Sequence, residues 1–299
     1  MAERTQGTIV VVGVALLQLR FRVPALPKSG GDVLASALEV GLGGSGVNVA
    51  RTLSQLGAPL EFVLRQGEGP LDRLAQAELR RLGIPVCGER SDGPSGVTVA
   101  LVEPHGERSL VTAAGVEGEV GSRDLRRADL RASAFLYVSG YELLSSRDLE
   151  ESVAQLPRRI EVLVDPGPRG AAPGMLERAW RRADIVRMNA AEAIARSGAK
   201  DASAAAAALS VEGPAVVVST RAGAFLGEGG SVREIPGEEP VHGDTTGAGD
   251  AHAAGILAGR RLGMPLREAV RTANRVARAK VAGEPLGPSL LAGSEEPGT

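Results

Sequence analysis

Aromatic side chains are scarce in this sequence: Phe, Tyr and Trp together make up 2% of its 299 residues. That is too few for the stacking platforms on which proteins hold single-stranded nucleic acid. An excess of positive charge is also missing. A formal net charge of -2 gives no electrostatic reason to expect nucleic acid or an anionic membrane as a partner. Cysteine occurs once, as Cys87, which excludes an internal disulfide and any multi-cysteine metal site and fits a reducing cytoplasm. Cys87 itself reads as a small buried or edge residue. The apolar run Ile9 to Leu17 is too short to span a bilayer and is followed by Arg20 and Arg22 rather than by a small-residue cleavage site. The P-loop pattern G-x-x-x-x-G-K-[ST] is absent.

What the chain does have is glycine, 40 residues of it, and a 43% hydrophobic fraction that can build a large core. Gly243-Asp244-Thr245-Thr246-Gly247-Ala248-Gly249-Asp250 runs straight into the apolar, alanine-rich stretch Ala251 to Ala258. A glycine loop opening into a helix collects free backbone N–H groups and the positive end of a helix dipole, which suits a phosphate. Gly247 and Gly249 would let bare backbone approach the anion. A carboxylate beside a bound phosphate is an odd neighbour, because the like charges repel, and makes sense if the acid takes a proton from a hydroxyl about to attack phosphorus. Taken alone, the pattern fits equally well an ordinary Gly-rich loop with Asp250 as an N-terminal helix charge. A second glycine stretch, Gly41-Leu42-Gly43-Gly44-Ser45-Gly46-Val47-Asn48, also runs into an amphipathic pattern, ending at Leu56-Gly57.

Along the chain, Thr8 to Gly13 reads as a buried central strand. Leu17 to Val23 alternates, and Asp32 to Val40 is a further extended candidate; one polar face implies a small flap beside the main sheet. Helix, strand, helix and short strand follow at Val47 to Leu56, Leu60 to Leu64, Leu71 to Leu82 and Ile84 to Cys87. Val97 to Glu103 and Ser109 to Ala113 form a hairpin that extends the flap, with His105 a solvated turn residue. A polar helix near Ser122 to Ala128 precedes strands at Ala134 to Ser139, Ile160 to Asp165, Asp184 to Met188 and Ala215 to Ser219. Such alternation gives a mostly parallel sheet covered on both faces, with ligands at the carboxyl ends of its strands. The arginine-rich run Arg178 to Arg187 reads as a solvated helix face, and Asp201 to Leu209 as packing helix. Beyond Leu291 the composition predicts a disordered tail.

The two glycine stretches together resemble the paired signatures of the ribokinase-like family, the PfkB carbohydrate kinases; D-T-x-G-A-G-D is met at every fixed position by Asp244 to Asp250. The order and wording of Leu101 to Arg108, Tyr137 to Tyr141 and Gly249 to His252 look closest to a poorly characterised sugar-kinase branch. The resemblance implies a three-layer α/β/α fold over residues 1–290, with a β-strand lid from about 15–41 and 97–113. It also implies ATP-dependent transfer of a phosphoryl group to a sugar hydroxyl. Asp250 would be the base, and the amides of Gly247, Ala248 and Gly249 an anion hole. Sugar contacts fall to Gln18, Gly43, Gly44 and Asn48, with Gln18 standing where the family commonly has an Asp. Asn189-Ala190-Ala191-Glu192 looks like the N-x-x-E motif implicated in organising Mg²⁺ and phosphates; by spacing it is also an N-cap and capping box, and both roles are expected together. Thr220 and Gly223 resemble the nucleotide loop, and Asn274 a position near the adenine. Asp165 to Arg169 resembles D-x-N-x-R with glycine in place of Asn. The resemblance further implies a monovalent cation, K⁺, near Asp244 and Thr246, and a lid that closes over the sugar or builds a homodimer. His252 would line the site wall.

Three rivals stand beside this reading. One is a nucleoside or pseudouridine-type kinase of the same family; another is a non-catalytic sugar- or nucleoside-binding relative. The third is a nicotinamide-dependent oxidoreductase using Gly41, Gly43 and Gly46 as G-x-G-x-x-G, with Glu61 as the ribose acid.

Overall fold

The protein is described by a computed structural model covering residues 7–292, apart from positions 106 and 212. The chain opens with β1 (Thr8–Val12), β2 (Leu16–Arg22), β3 (Ala37–Gly43), α1 (Ser45–Gln55), β4 (Leu60–Val63), α2 (Pro70–Arg81), β5 (Val86–Cys87), β6 (Val97–Val102) and β7 (Arg108–Ala113). It continues through α3 (Ser122–Leu125), β8 (Ser133–Ser139), α4 (Gly140–Ser145), α5 (Arg147–Ala154), β9 (Glu161–Asp165), α6 (Gly167–Gly170), α7 (Glu177–Arg182), β10 (Ile185–Asn189), α8 (Ala190–Ser197) and α9 (Ala202–Leu209). Strands β11 (Ala215–Thr220), β12 (Gly223–Glu228) and β13 (Ser231–Pro236) precede the long helices α10 (Ala248–Arg261) and α11 (Leu266–Ala282).

Nine strands form one sheet in the order β13-β12-β11-β10-β9-β8-β1-β4-β5, parallel from β5 to β11 and antiparallel at β12 and β13. Alternate residues of a strand point to opposite faces, and β1 shows the consequence. Ile9 and Val11 pack with Val49, Leu53, Ala254, Leu257 and Val276, while Val10 and Val12 pack with Leu143, Leu149 and Val153. The sheet is therefore the middle of three layers, with α1, α10 and α11 on one side and α4 and α5 on the other. Strand β8 is buried along its whole length.

A separate four-stranded sheet, β3-β2-β6-β7, sits beside the first as the lid. Its third strand begins at Ala37 rather than Asp32, because β2 ends at Arg22 opposite Ala37, and Ser36 is the last residue before it that still bonds to that strand, donating to the Arg22 carbonyl. It also runs on through Gly41 and Gly43. Those glycines are strand residues at the lid's edge, not the loop after a central strand that a dinucleotide fingerprint requires.

Three further expectations change. The helix near Ser122 is a single turn, Ser122–Leu125. The run Arg178 to Arg187 is a solvated helix face only in part: Arg178 and Arg181 of α7 are exposed, but Arg182, the last residue of that helix, is 4% exposed, and Arg187 is a buried residue of β10. Strands β12 and β13 form a hairpin turning at Gly229 and Gly230, both with positive φ, a glycine pair of the kind two-residue turns favour. At the C-terminus a helical turn over Pro288–Leu291 buries Leu291; residues 293–299 lie outside the described chain.

Candidate functional site

The site is assembled where β1 meets α1. A Cβ on Gly13 would lie 2.5 Å from the Gly46 Cα, and one on Gly46 would lie 2.6 Å from the Gly13 Cα. Only two glycines can pass this closely, so the start of α1 is pressed onto the carboxyl end of β1. Gly44, at φ 118°, turns the chain from β3 into α1. Ser45 and Asn48 then face the first turn of α10. Ser45 Oγ donates to Asp250 Oδ1 at 2.6 Å, and Asn48 Nδ2 donates to Asp250 Oδ2 at 2.8 Å. Tyr137, fully buried at the end of β8, lies 2.7 Å from Ser45 Oγ. Since the single Ser45 proton goes to the carboxylate, Tyr137 donates to Ser45. Arg51 holds the other end of Asn48, donating to its Oδ1 at 3.2 Å.

Asp250 is half-buried in the first turn of α10. Burial raises its pKa, the bonds from Ser45 and Asn48 working against that rise. The Ala248 amide is already engaged, donating to the Thr245 carbonyl at 3.1 Å. This corrects one expectation: the amides that make no hydrogen bond among the described residues are those of Gly247, Gly249 and Asp250, as the start of a helix leaves them. Gly247 caps the helix at φ 73°, so its glycine serves a left-handed conformation. Gly249 has a different reason. A Cβ there would lie 2.5 Å from Arg187 Nη1 and 2.9 Å from Nη2.

The neighbouring strand ends bring further charge. Arg187 donates to Asp165 Oδ2 at 3.1 Å and to Ser219 Oγ at 2.6 Å. Asp165 also accepts from the Gly167 N–H. Gly167 stands at φ 61°, a region that Gly and Asn both tolerate, which explains why glycine can replace the Asn of D-x-N-x-R. Glu142 is buried beside Ser139, and burial pushes its pKa up to about 7. Ser45, Tyr137, Glu142 and Arg187 were not singled out from sequence; Arg187 alone left a signal, a charged residue inside the apolar strand Ile185-Val186-Arg187-Met188.

Asn189 and Glu192 form a capping box: Asn189 Oδ1 accepts the Glu192 N–H and Glu192 Oε2 accepts the Asn189 N–H, each at 2.9 Å. No cluster of three or more His, Cys, Asp or Glu side chains suited to a metal occurs among the described residues. A Mg²⁺ ion that keeps its waters and takes phosphate oxygens needs only one such carboxylate, so Glu192 fits. Asp244 Oδ1 accepts the Thr246 N–H at 2.9 Å, and Arg108 of the lid reaches both Asp244 and Thr246 Oγ1. The two side chains assigned to a monovalent cation are thus met by a guanidinium. Burial would raise Asp244, but the Thr246 and Arg108 bonds outweigh it and hold it at about 2.

Gln18 lies on β2 opposite Gly41, and a Cβ on Gly43 would lie 3.1 Å from its Nε2. Thr220 and Gly223 close the two-residue turn between β11 and β12, Thr220 Oγ1 donating to the Gly223 carbonyl at 3.2 Å. Asn274 is 9% exposed and has both ends of its amide engaged: Nδ2 donates to the Ile235 carbonyl and Oδ1 meets His252 Nε2, each at 3.0 Å. His252 is buried rather than lining a wall. Burial first and the Arg187 charge second lower its pKa to about 3.

Residues 6–289 match the family described as pfkB family carbohydrate kinase. An uncharacterised sugar kinase of Escherichia coli, YegV, is 31% identical over 283 residues, 91% of this chain and 88% of that protein. A fructokinase of Klebsiella pneumoniae is 28% identical, over 85% of this chain and 84% of the fructokinase. Among solved structures, Arabidopsis thaliana ribokinase complexed with ribose and ATP aligns with a TM-score of 0.80 at 23% identity, over 97% of this chain and all of the other. No helix among the described residues is long and apolar enough to cross a membrane. With the family signature matched along nearly its whole length and its glycine loop opening a helix beside a held carboxylate, this chain belongs to the pfkB family of carbohydrate kinases and is an enzyme of that class.

Proposed function

We propose that the protein moves the γ-phosphoryl group of ATP to a hydroxyl, preferably a primary one, of a small sugar, with Asp250 as general base. The observation that carries this is the Asp250 carboxylate, gripped at both oxygens by Ser45 and Asn48 next to three open amides. Each grip fixes orientation, and the raised pKa makes the carboxylate a better proton acceptor than a solvated Asp. In the transfer, Asp250 takes the hydroxyl proton, the hydroxyl oxygen bonds to the γ-phosphorus, and the bond from that phosphorus to the β–γ bridging oxygen breaks, leaving ADP. The Gly247, Gly249 and Asp250 amides face the charge that gathers on the moving phosphoryl oxygens. Mg²⁺, when bound, neutralises phosphate charge, and Glu192 with Asn189 would hold it through its waters. With Arg108 on Asp244 and Thr246, the reading needs no K⁺ there.

Gly43, Gly44, Asn48 and Gln18 would meet the sugar, and Thr220, Gly223 and Asn274 border the nucleotide. Relatives named fructokinase and ribokinase support a sugar alcohol as acceptor, although Gln18 cannot accept two hydroxyls with the full charge of an Asp. The working setting is cytoplasmic, where ATP is at hand. Screening ATP consumption against sugars, sugar acids and nucleosides, with Asp250→Asn as control, tests the reading. Turnover should fall by on the order of 10²-fold or more in the variant; undiminished turnover would remove Asp250 from its role.

A further inference from the structure

Arg187 is a cation at these strand ends for which the family signature offers no task. It lies within β10, is 7% exposed, and follows two buried apolar residues. An arginine in such a place is costly to enclose unless its charge is used. Asp165 answers part of that charge and Ser219 one further N–H, while Nε has no partner. Its guanidinium does not turn away from the cleft: it lies against the Gly249 Cα, in space that any side chain at 249 would take. The glycine of the anion loop is thus there to admit a cation. That cation lies beside Gly249, whose amide is open, and belongs to the strand that ends at Asn189.

Resting on the kinase reading above, we propose that Arg187 is a fixed cation for the transferring phosphoryl group, held in position by Asp165 and Ser219 and admitted to the anion loop by Gly249. A guanidinium presents several N–H donors in one plane and is always charged. Two are engaged by Asp165 and Ser219, which sets its plane before any nucleotide arrives, so no reorganisation is needed when charge gathers on the γ-phosphoryl oxygens. The lid plays no part in placing it, since all its partners belong to the main sheet. The structural alternative is that Arg187 merely ties β9, β10 and β11 together. The two roles differ in what they predict: a tie matters equally to every ligand, whereas a phosphoryl clamp distinguishes a triphosphate from a diphosphate.

Calorimetric titration of the full chain with Mg²⁺–ADP and with the non-hydrolysable triphosphate Mg²⁺–AMPPNP makes that distinction. In Arg187→Met, ADP affinity should stay within about twofold while AMPPNP affinity drops by about 10-fold or more, the range of a charge-assisted hydrogen bond. Arg187→Lys keeps the charge and a partner for Asp165, and should fall between the two; it carries the test alone should Arg187→Met not fold. Equal losses for both nucleotides, together with a lowered unfolding temperature, would assign Arg187 to the structural role and overturn the proposal, as would unchanged AMPPNP binding. A wild-type protein that binds neither nucleotide would overturn the kinase reading and this proposal with it. One that binds both, with variants that do not separate them, would overturn the proposal alone.

Discussion

Asp250, half-buried, and Glu142, buried, are two carboxyls whose pKa values are raised by the same cause, burial; they differ in their partners. Asp250 has a donor on each oxygen, while Glu142 has chiefly the Ser139 hydroxyl, and its pKa reaches about 7. An acid that holds its proton longer in the folded than in the unfolded chain stabilises the fold most at low pH. That stability is lost as pH rises through the folded pKa. Between the ordinary value of 4.5 and about 7, Glu142 should therefore withdraw about 3 kcal/mol of stability. His252 acts oppositely: with its pKa lowered from 6.5 to about 3, it costs stability as pH falls through 6.5, because the unfolded chain takes up a proton that the fold refuses. The two slopes offset each other in the wild type over much of this window, so the quantity to measure is a difference. Urea unfolding at pH 4.5 and 7.5 should show the stability of wild type relative to Glu142→Gln falling with pH by about 3 kcal/mol. A flat difference would mean that Glu142 is not enclosed as described.

The helix that carries Asp250 is itself enclosed, with Ala251 to Gly259 all buried, so its small residues are fitted to neighbours and not to solvent. Gly255 faces Ala273 of α11 so closely that a Cβ would lie 2.6 Å from the Ala273 Cα, and Gly259 meets Ala269 in the same way at 3.0 Å. In an open helix, Gly→Ala adds up to about 1 kcal/mol of stability. Here the obstacle is backbone, which cannot swing aside, so Gly255→Ala should be net destabilising by about 1–2 kcal/mol by chemical denaturation; a neutral or more stable variant would contradict the close crossing. Elements of this kind were legible in the sequence when their pattern was undivided: the apolar runs of β1, β4, β8, β9, β10 and β11 each sit in the parallel sheet. The β12–β13 hairpin was not, because Thr220 and Gly223 read as a nucleotide loop and the turn signal Gly229-Gly230 lay beyond it. Arg187 was missed for a related reason. Four arginines within ten residues read as one solvated surface, and only strand pairing separates the residue in β10 from those on α7.

For the whole molecule, the lid sheet poses the remaining physical question, because its two faces are unlike. Gln18, Arg20, Arg22, Thr98 and Arg108 share the face from which Arg108 reaches Asp244 and Thr246. Leu19, Phe21, Leu38, Val40, Val99 and Val111 share the other. Sequence alternation announced that the two faces would differ but not which would turn outward, since that depends on how β6 and β7 join β2 and where Arg108 finds its partners. Apolar side chains of the second face stand open: Leu38 is 54% exposed, Val40 57% and Val111 67%. Exposed apolar side chains gathered on one face mark an interaction surface, and a lid must hold a stable shape to close over a small substrate. Pairing of this face with the same face of a second copy would meet both demands, as a two-fold interface is self-complementary. Light scattering on the eluting protein should give twice the 30.7 kDa of the chain, and Val40→Lys combined with Val111→Lys should give a monomer. Because these side chains face away from Asp250, nucleotide binding in that monomer should stay within about twofold of the wild type. A wild-type chain that elutes as a monomer at micromolar concentration would leave the lid closing without a partner and would sink the pairing.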